Sequence, residues 1–93
     1  METYYLKDLL FAAKKNLLIA RDNPEIFGKY AASYAQKGLR LSQEMEAELA
    51  GMPQEEREAL IGMVRDYESE FAKIISQVRA MGLEIDENVE FIT

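Results

Sequence analysis

The last third of the chain carries a regular pattern of apolar residues spaced alternately four and three positions apart. The apolar positions are Leu60, Val64, Tyr67, Phe71, Ile74, Val78 and Met81. This spacing is a heptad repeat, which puts all of these side chains on one face of a helix and requires a partner surface to cover it. The pattern predicts a helix over about residues 53–81. Pro53 suits the start of this helix and Gly82 suits its end.

Two further amphipathic segments precede this helix. The first is predicted over about residues 3–21, and its apolar side is unusually broad, with Phe11 and Ile19 lying off the main stripe. Its main apolar positions are Leu6, Leu9, Leu10, Ala13, Leu17, Leu18 and Ala20. A helix that is apolar over so wide an arc is expected to lie between two neighbours or to contribute to a face between molecules.

The second predicted helix covers about residues 24–50, between Asn23-Pro24 and Gly51. Asn23 suits an N-cap, Pro24 suits the first helical position and Gly51 suits a C-terminal stop. The apolar positions of this helix are Phe27, Ala31, Tyr34, Gly38, Leu41, Met45 and Leu49, followed by Met52. Glycine and alanine in its first half indicate a close approach to a neighbouring backbone.

These segments predict an all-α fold, an antiparallel up-down-up three-helix bundle with a short extended C-terminal tail. The bundle is assigned to residues 1–82. Consecutive helices are expected to be antiparallel because the turns between them are short. Residues 83–93 form the predicted tail, where Leu83 and Ile85, then Val89 and Phe91, alternate with polar residues in the period of a strand. Whether the tail packs on its own bundle or on a partner is left open by the sequence.

The chemistry available to the chain is narrow. Its 93 residues include no histidine and no cysteine, which removes the commonest general base, the imidazole and thiolate metal ligands, and disulfides. Glu44 with Glu48, and Asp66 with Glu70, are carboxylate pairs four residues apart, but both pairs fall outside the apolar faces and are expected to be solvated. We therefore expect no catalytic residues, no cofactor, no metal site and no small-molecule substrate.

Methionine is common on or beside the apolar faces. The residues concerned are Met45, Met52, Met63 and Met81. Flexible thioethers suit adaptable binding surfaces, but they also fill gaps in ordinary cores, and core filling is the role we expect for each of them.

Charge and hydropathy shape the expected partners. Residues 1–43 carry seven Lys and Arg against four Asp and Glu, whereas residues 44–93 carry four against thirteen, so the net charge of −6 is unevenly placed. An acidic second half repels phosphate and argues against nucleic acid as a partner. No apolar run approaches the roughly 20 residues of a membrane span, so we expect no membrane partner and a cytoplasmic location.

Six glutamates gather at the predicted turn between the second and third helices, and we call this group the acidic end. The acidic end consists of Glu44, Glu46, Glu48, Glu55, Glu56 and Glu58. Surface charge of this kind ordinarily improves solubility. The functional alternative is a docking site for a basic partner, whose association such a field would accelerate.

The third helix also carries a family resemblance. In a short acidic helical chain, the stretch Arg65-Asp66-Tyr67-Glu68-Ser69-Glu70-Phe71 ahead of a long apolar face resembles the flagellar export chaperones. That resemblance implies a small cytoplasmic protein that holds partner subunits on its helical surfaces. It extends over most of the chain but includes no diagnostic motif.

The sequence thus predicts a non-enzymatic protein–protein interaction module: an adaptor, an export-chaperone-like protein or a regulatory protein that presents an apolar helical groove. The expected partner contacts are Leu10, Leu17 and Leu18 of the first helix and Ile85, Val89 and Phe91 of the tail. Glu44, Glu48 and Glu55 are expected to orient the partner. The alternative is a self-associating structural protein, in which a second copy covers the surplus apolar face of the first helix in a larger dimeric bundle.

Overall fold

The described part of the chain folds into three α-helices in up-down-up order, and every pair of them is in contact. The computed structural model describes residues 4–83. The helices are α1 (Tyr4–Ile19), α2 (Lys29–Leu49) and α3 (Gln54–Ala80), and the described residues contain no strand. The prediction of an all-α, up-down-up three-helix bundle is confirmed.

The connection between α1 and α2 differs in detail from the sequence prediction. After α1 the chain forms a tighter turn, in which the Arg21 N–H donates to the carbonyl of Leu18, three residues earlier, at 3.3 Å. Asn23 occupies the predicted N-cap position, but its side chain makes no capping hydrogen bond. Its carbonyl instead accepts from the Phe27 N–H at 3.2 Å, within a π-helical turn (Pro24–Gly28) that leads into α2. The proline does start the helical segment as expected, but the wider turn was not foreseen.

Proline and glycine mark the end of α2 and both ends of α3. Pro53 has an extended ψ of 146° and directly precedes α3, where its carbonyl accepts from the Arg57 N–H at 3.0 Å. Gly82 follows α3 with a φ of +84°, a left-handed conformation in which a Cβ would be strained. Gly51 also follows its helix, but its φ is not positive, so there the helix ends in a tight turn closed by the Gly51 N–H and the Glu48 carbonyl.

The core is built around α2, which contacts α1 and α3 more extensively than these two contact each other. Small residues make this possible, because α2 buries a broad surface of short side chains. These are Ala31, Ala32, Ser33, Ala35, Gly38 and Ser42. The fully buried Phe71 ring of α3 lies against Gly38, and the Ser42 hydroxyl donates to the Gly38 carbonyl at 2.8 Å.

Among the described residues, α3 supplies five of the nine buried apolar side chains larger than alanine, and four of these five lie on its heptad face. Val64, Phe71, Ile74 and Val78 are buried, and Leu60 and Tyr67 are half-buried. Each fully buried large apolar side chain contributes about 1.5–3 kcal/mol relative to an exposed one. Met81, the last residue of the predicted heptad, lies just beyond the helix and is 37% exposed.

Candidate functional site

The line between α1 and α3 is the least closely packed of the three helix contacts. It contains two open hollows, which differ in their lining and follow each other along the bundle. Leu10 of α1 faces Met63, Asp66, Tyr67 and Glu70 of α3 around the first hollow, which has a volume of about 290 Å³. Its floor is apolar and its α3 rim carries two carboxylates.

The second hollow lies nearer the end of the bundle at which α3 terminates. Leu17, Leu18 and Arg21 line it from the α1 side, and Gln77 and Met81 line it from the α3 side. Its volume is about 230 Å³. Leu10 and Leu17 are seven residues apart on α1, so the two hollows are spaced by roughly 10 Å along the helix axis.

A surface ion pair bridges α1 and α3 between the two hollows. Lys14 Nζ lies 3.6 Å from a carboxylate oxygen of Glu70, whose other oxygen lies 3.6 Å from Lys73 Nζ. Both lysines are more than half exposed, so these pairs contribute little to stability. Between the two hollows, the contact between α1 and α3 therefore includes the charged side chains of Lys14 and Glu70.

The outer surface of α1 continues this region with two large exposed side chains. Phe11 is 70% exposed and Leu18 is 60% exposed, and they lie two helical turns apart on the same side of α1. Their neighbours at helical spacings of three and four include the bases Lys7, Lys14 and Lys15. We call this surface the α1–α3 face; it comprises Leu10, Phe11, Leu17, Leu18, Met63, Tyr67 and Met81.

The α1–α3 face includes the helical part of the site proposed from sequence. Leu10 and Leu17 are half-buried and line different hollows, and the exposed Leu18 lines the second. The predicted tail contacts Ile85, Val89 and Phe91 lie outside the described residues.

The acidic residues of the predicted site lie elsewhere. Glu44, Glu48 and Glu55 are exposed at the turn between α2 and α3. Met81 and the second hollow are at the other end of α3, which at 27 residues is roughly 40 Å long. The structure therefore separates the charged half of the predicted site from Leu17 and Leu18.

Part of the acidic end has a structural role that was not predicted from sequence. Glu46 turns toward α3, and one of its carboxylate oxygens lies 3.6 Å from Arg65 Nε. Burial raises the pKa of the neighbouring Glu68 carboxyl, and Glu46 raises it further, whereas Arg65 lowers it. Within the described chain, Glu68 Oε2 is buried without a hydrogen-bond partner. Two carboxyl groups and one guanidinium therefore share this contact between α2 and α3.

Two of the methionines expected to fill the core lie at the α1–α3 face instead, which corrects the sequence prediction. Met63 is 44% exposed and lines the first hollow, and Met81 lines the second. Met45, by contrast, is buried as expected. The sequence positions of these two methionines could have indicated their exposure. Met63 lies outside the heptad face that covers the core, and Met81 is the last residue of that face.

The described residues offer little other chemistry. Among residues 4–83, no group of three or more His, Cys, Asp or Glu side chains is placed to hold a metal ion. None of the helices in this range is both long enough and apolar enough to cross a membrane.

Comparison with protein-family models, with curated proteins and with solved structures gives no significant match to this chain. The resemblance to the flagellar export chaperones therefore stays a prediction, without support from these comparisons.

Proposed function

We propose that this chain is a non-enzymatic protein-interaction module that binds a partner protein on the α1–α3 face. The observation that carries the proposal is the position of Phe11 and Leu18. These two side chains are 70% and 60% exposed, although burial of either would stabilise the fold. Leu18 lines the second hollow, and Phe11 lies two helical turns before it on the same side of α1. Large apolar side chains grouped on a surface are typical of a binding site.

The shape and composition of the surface support the proposal further. α1 and α3 run in the same direction with α2 packed against both, so the groove above them is open to a further helix, as in helix-in-groove recognition. Met63 and Met81 give the groove flexible walls, which suit a surface that adapts to a partner. An adaptor, an export-chaperone-like protein and a regulator would all use such a groove.

Self-association is the alternative, in which a second copy covers the same face. Two α1 helices packed antiparallel about a two-fold axis midway between Phe11 and Leu18 would place Lys14 of each copy opposite Lys15 of the other. Repulsion between like charges disfavours that arrangement. A different partner protein need not place lysines opposite those of α1, so this repulsion does not arise.

The test is site-specific photo-crosslinking in lysate of the source cells. A photoreactive phenylalanine analogue replaces Phe11 in one sample and Ile26, which is 51% exposed on the π-helical turn, in the matched control. We expect a discrete protein crosslinked from position 11 and absent from position 26. Crosslinks only to further copies of the chain, or the same products from both positions, would contradict the proposal.

A further inference from the structure

We propose that residues 84–93 dock on their own bundle, with the side chain of Ile85 in the second hollow between α1 and α3. This inference goes beyond the proposed function and does not rest on it, because it concerns a contact within one chain. Three observations support it: the position of the hollow relative to the end of α3, the packing of Leu83, and the charge of the residues that line each hollow.

The second hollow lies where the chain leaves α3. Met81, one of its lining residues, directly follows the last residue of α3. Ile85 is four residues beyond Met81 and is the first apolar residue after Leu83. Because each residue of an extended chain spans at most about 3.6 Å, the Cα atoms of Met81 and Ile85 are no more than roughly 14 Å apart. The side chain of Ile85 can therefore reach the hollow without any change in the helices.

Leu83 shows that the chain turns back onto the bundle after α3. Gly82 has a left-handed conformation, with a φ of +84°, which ends the helix and redirects the chain. Leu83 is half-buried and packs on the core, and its Cδ1 atom occupies the space that a Cβ at Gly28 would need. Residues 84–93 thus start from a point that is fixed on the bundle, at the same end as the second hollow.

Charge favours the second hollow over the first for this segment. Residues 84–93 include four acidic side chains and no basic one. Asp66 and Glu70 line the first hollow and would repel them, whereas the described residues that line the second include Arg21 and no carboxylate. The segment is therefore expected at the second hollow alone.

Attachment to the same chain favours this segment over other occupants. The hollow has a volume of about 230 Å³, smaller than a typical small-molecule pocket, and Leu17, Leu18 and Met81 are among its lining residues. A short connection holds Ile85 near it at an effective concentration in the millimolar range, so a contact with a Kd of about 0.1 mM is occupied about nine-tenths of the time. A second copy, or another protein that offers the same side chain, would need a similar concentration in solution.

The experiment measures how well residues 84–93 protect a thiol placed at the hollow of the full chain. The sequence contains no cysteine, so Leu18→Cys introduces a single thiol. Its rate of modification by a maleimide is measured with Ile85 present and with Ile85→Ser added. We expect Ile85→Ser to raise the rate about tenfold, as nine-tenths occupancy requires.

Two matched controls separate docking of Ile85 from general effects. Ile26→Cys places the thiol on the π-helical turn, at a residue that is 51% exposed, and there Ile85→Ser should change the rate by less than about twofold. Ile92→Ser removes the same kind of side chain seven residues further along and should leave the rate of Leu18→Cys within about twofold. Circular dichroism should show that all of these variants remain helical.

Three results would overturn the proposal. They are a Leu18→Cys rate that does not depend on Ile85, an equal rise in the Ile26→Cys control, and an equal rise caused by Ile92→Ser. Protection that disappears when the protein is diluted would overturn it in favour of a second copy that covers the hollow.

The outcome is distinguishable from that of the crosslinking experiment. If the segment docks as proposed, it covers the Leu18 end of the α1–α3 face and leaves Phe11 and the first hollow to a partner protein. Protection of the thiol without a crosslink from position 11 would support this inference while contradicting the proposed function. A crosslinked partner without protection would do the reverse.

Discussion

The α2–α3 contact and the α1–α3 contact are made by the same third helix, yet one is closed and the other is open. Against α2, the Phe71 ring lies directly on the backbone at Gly38, and Val64 and Val78 are fully buried. Against α1, longer side chains such as Met63 line hollows, and the Lys14–Glu70 ion pair spans the gap. The difference comes from the size of the facing residues, because small side chains let two helix backbones approach until no space remains between them.

Truncating one side chain on each side of α3 gives the largest contrast. Phe71→Ala should lower the free energy of unfolding by about 3–5 kcal/mol, because it removes a buried ring from a site that has little freedom to collapse. Met63→Ala should change it by less than about 0.5 kcal/mol, because that side chain lies at the open groove. Urea unfolding followed by circular dichroism measures both. Similar losses from the two variants would show that the α1–α3 contact is as closely packed as the other.

The second contrast adds a methyl group to each of two glycines. A Cβ at Gly38 would overlap the Phe71 ring, whereas nothing lies within 4 Å of a Cβ at Gly62 on the exposed side of α3. Gly38→Ala should therefore cost about 1–3 kcal/mol through overpacking. Gly62→Ala should stabilise the protein by up to about 1 kcal/mol through helix propensity.

A double variant sharpens the Gly38 experiment. Replacing Phe71 by Leu in the Gly38→Ala background gives the new methyl group room, so the cost of the double variant should be less than the sum of the two single costs. Thermal unfolding of the four proteins of this cycle measures the coupling. Strict additivity would mean that Gly38 does not act through the Phe71 ring.

The smallest expected effect concerns the carboxyl group that the close α2–α3 contact leaves poorly partnered. The folded state raises the pKa of Glu68 above its ordinary value of 4.5, first through burial and then through Glu46. The resulting stabilisation is fully present below pH 4.5 and is lost as the pH rises through the raised pKa of the folded state. At neutral pH, Glu68→Gln should therefore raise the stability by a few tenths of a kcal/mol, the scale of a like-charge pair on neighbouring turns.

Thermal unfolding of Glu68→Gln and of the unsubstituted protein at pH 7 and pH 4 tests this sign. The advantage of the variant should shrink at the lower pH. It should also shrink in a Glu46→Gln background, where one of the two causes has been removed. A variant that is less stable at pH 7 would show that the attraction of Arg65 outweighs both.

The sequence was sufficient to predict the helices because their ends are marked by strong local signals. Pro24, Pro53 and Gly82 act through the backbone itself, and the heptad of α3 has a period that no strand shares. These properties depend on a few neighbouring residues. They hold whatever the rest of the chain does.

The sequence was not sufficient to predict which helix pair would stay open. That depends on the rotation of each helix about its axis and on how closely the backbones approach, which the apolar positions alone leave undetermined. The sequence indicates the broad apolar arc of α1 and predicts contacts at Leu10, Leu17 and Leu18, but the 70% exposure of Phe11 depends on how the helix is placed in three dimensions. The π-helical turn (Pro24–Gly28) was missed for a related reason, since proline marks where a helix starts but not how many residues its first turn contains.

Gly38 also has a consequence for motion. If α3 slid along α2 by one helical turn, the Phe71 ring would meet the side chain of Ala35 or Ser42, which are buried on either side of Gly38, in place of a bare backbone. The pair α2–α3 thus has a single favoured register, and we expect it to behave as a rigid unit. We therefore expect any adjustment to an incoming helix to come from α1, whose contact with α3 is the least extensive of the three helix contacts.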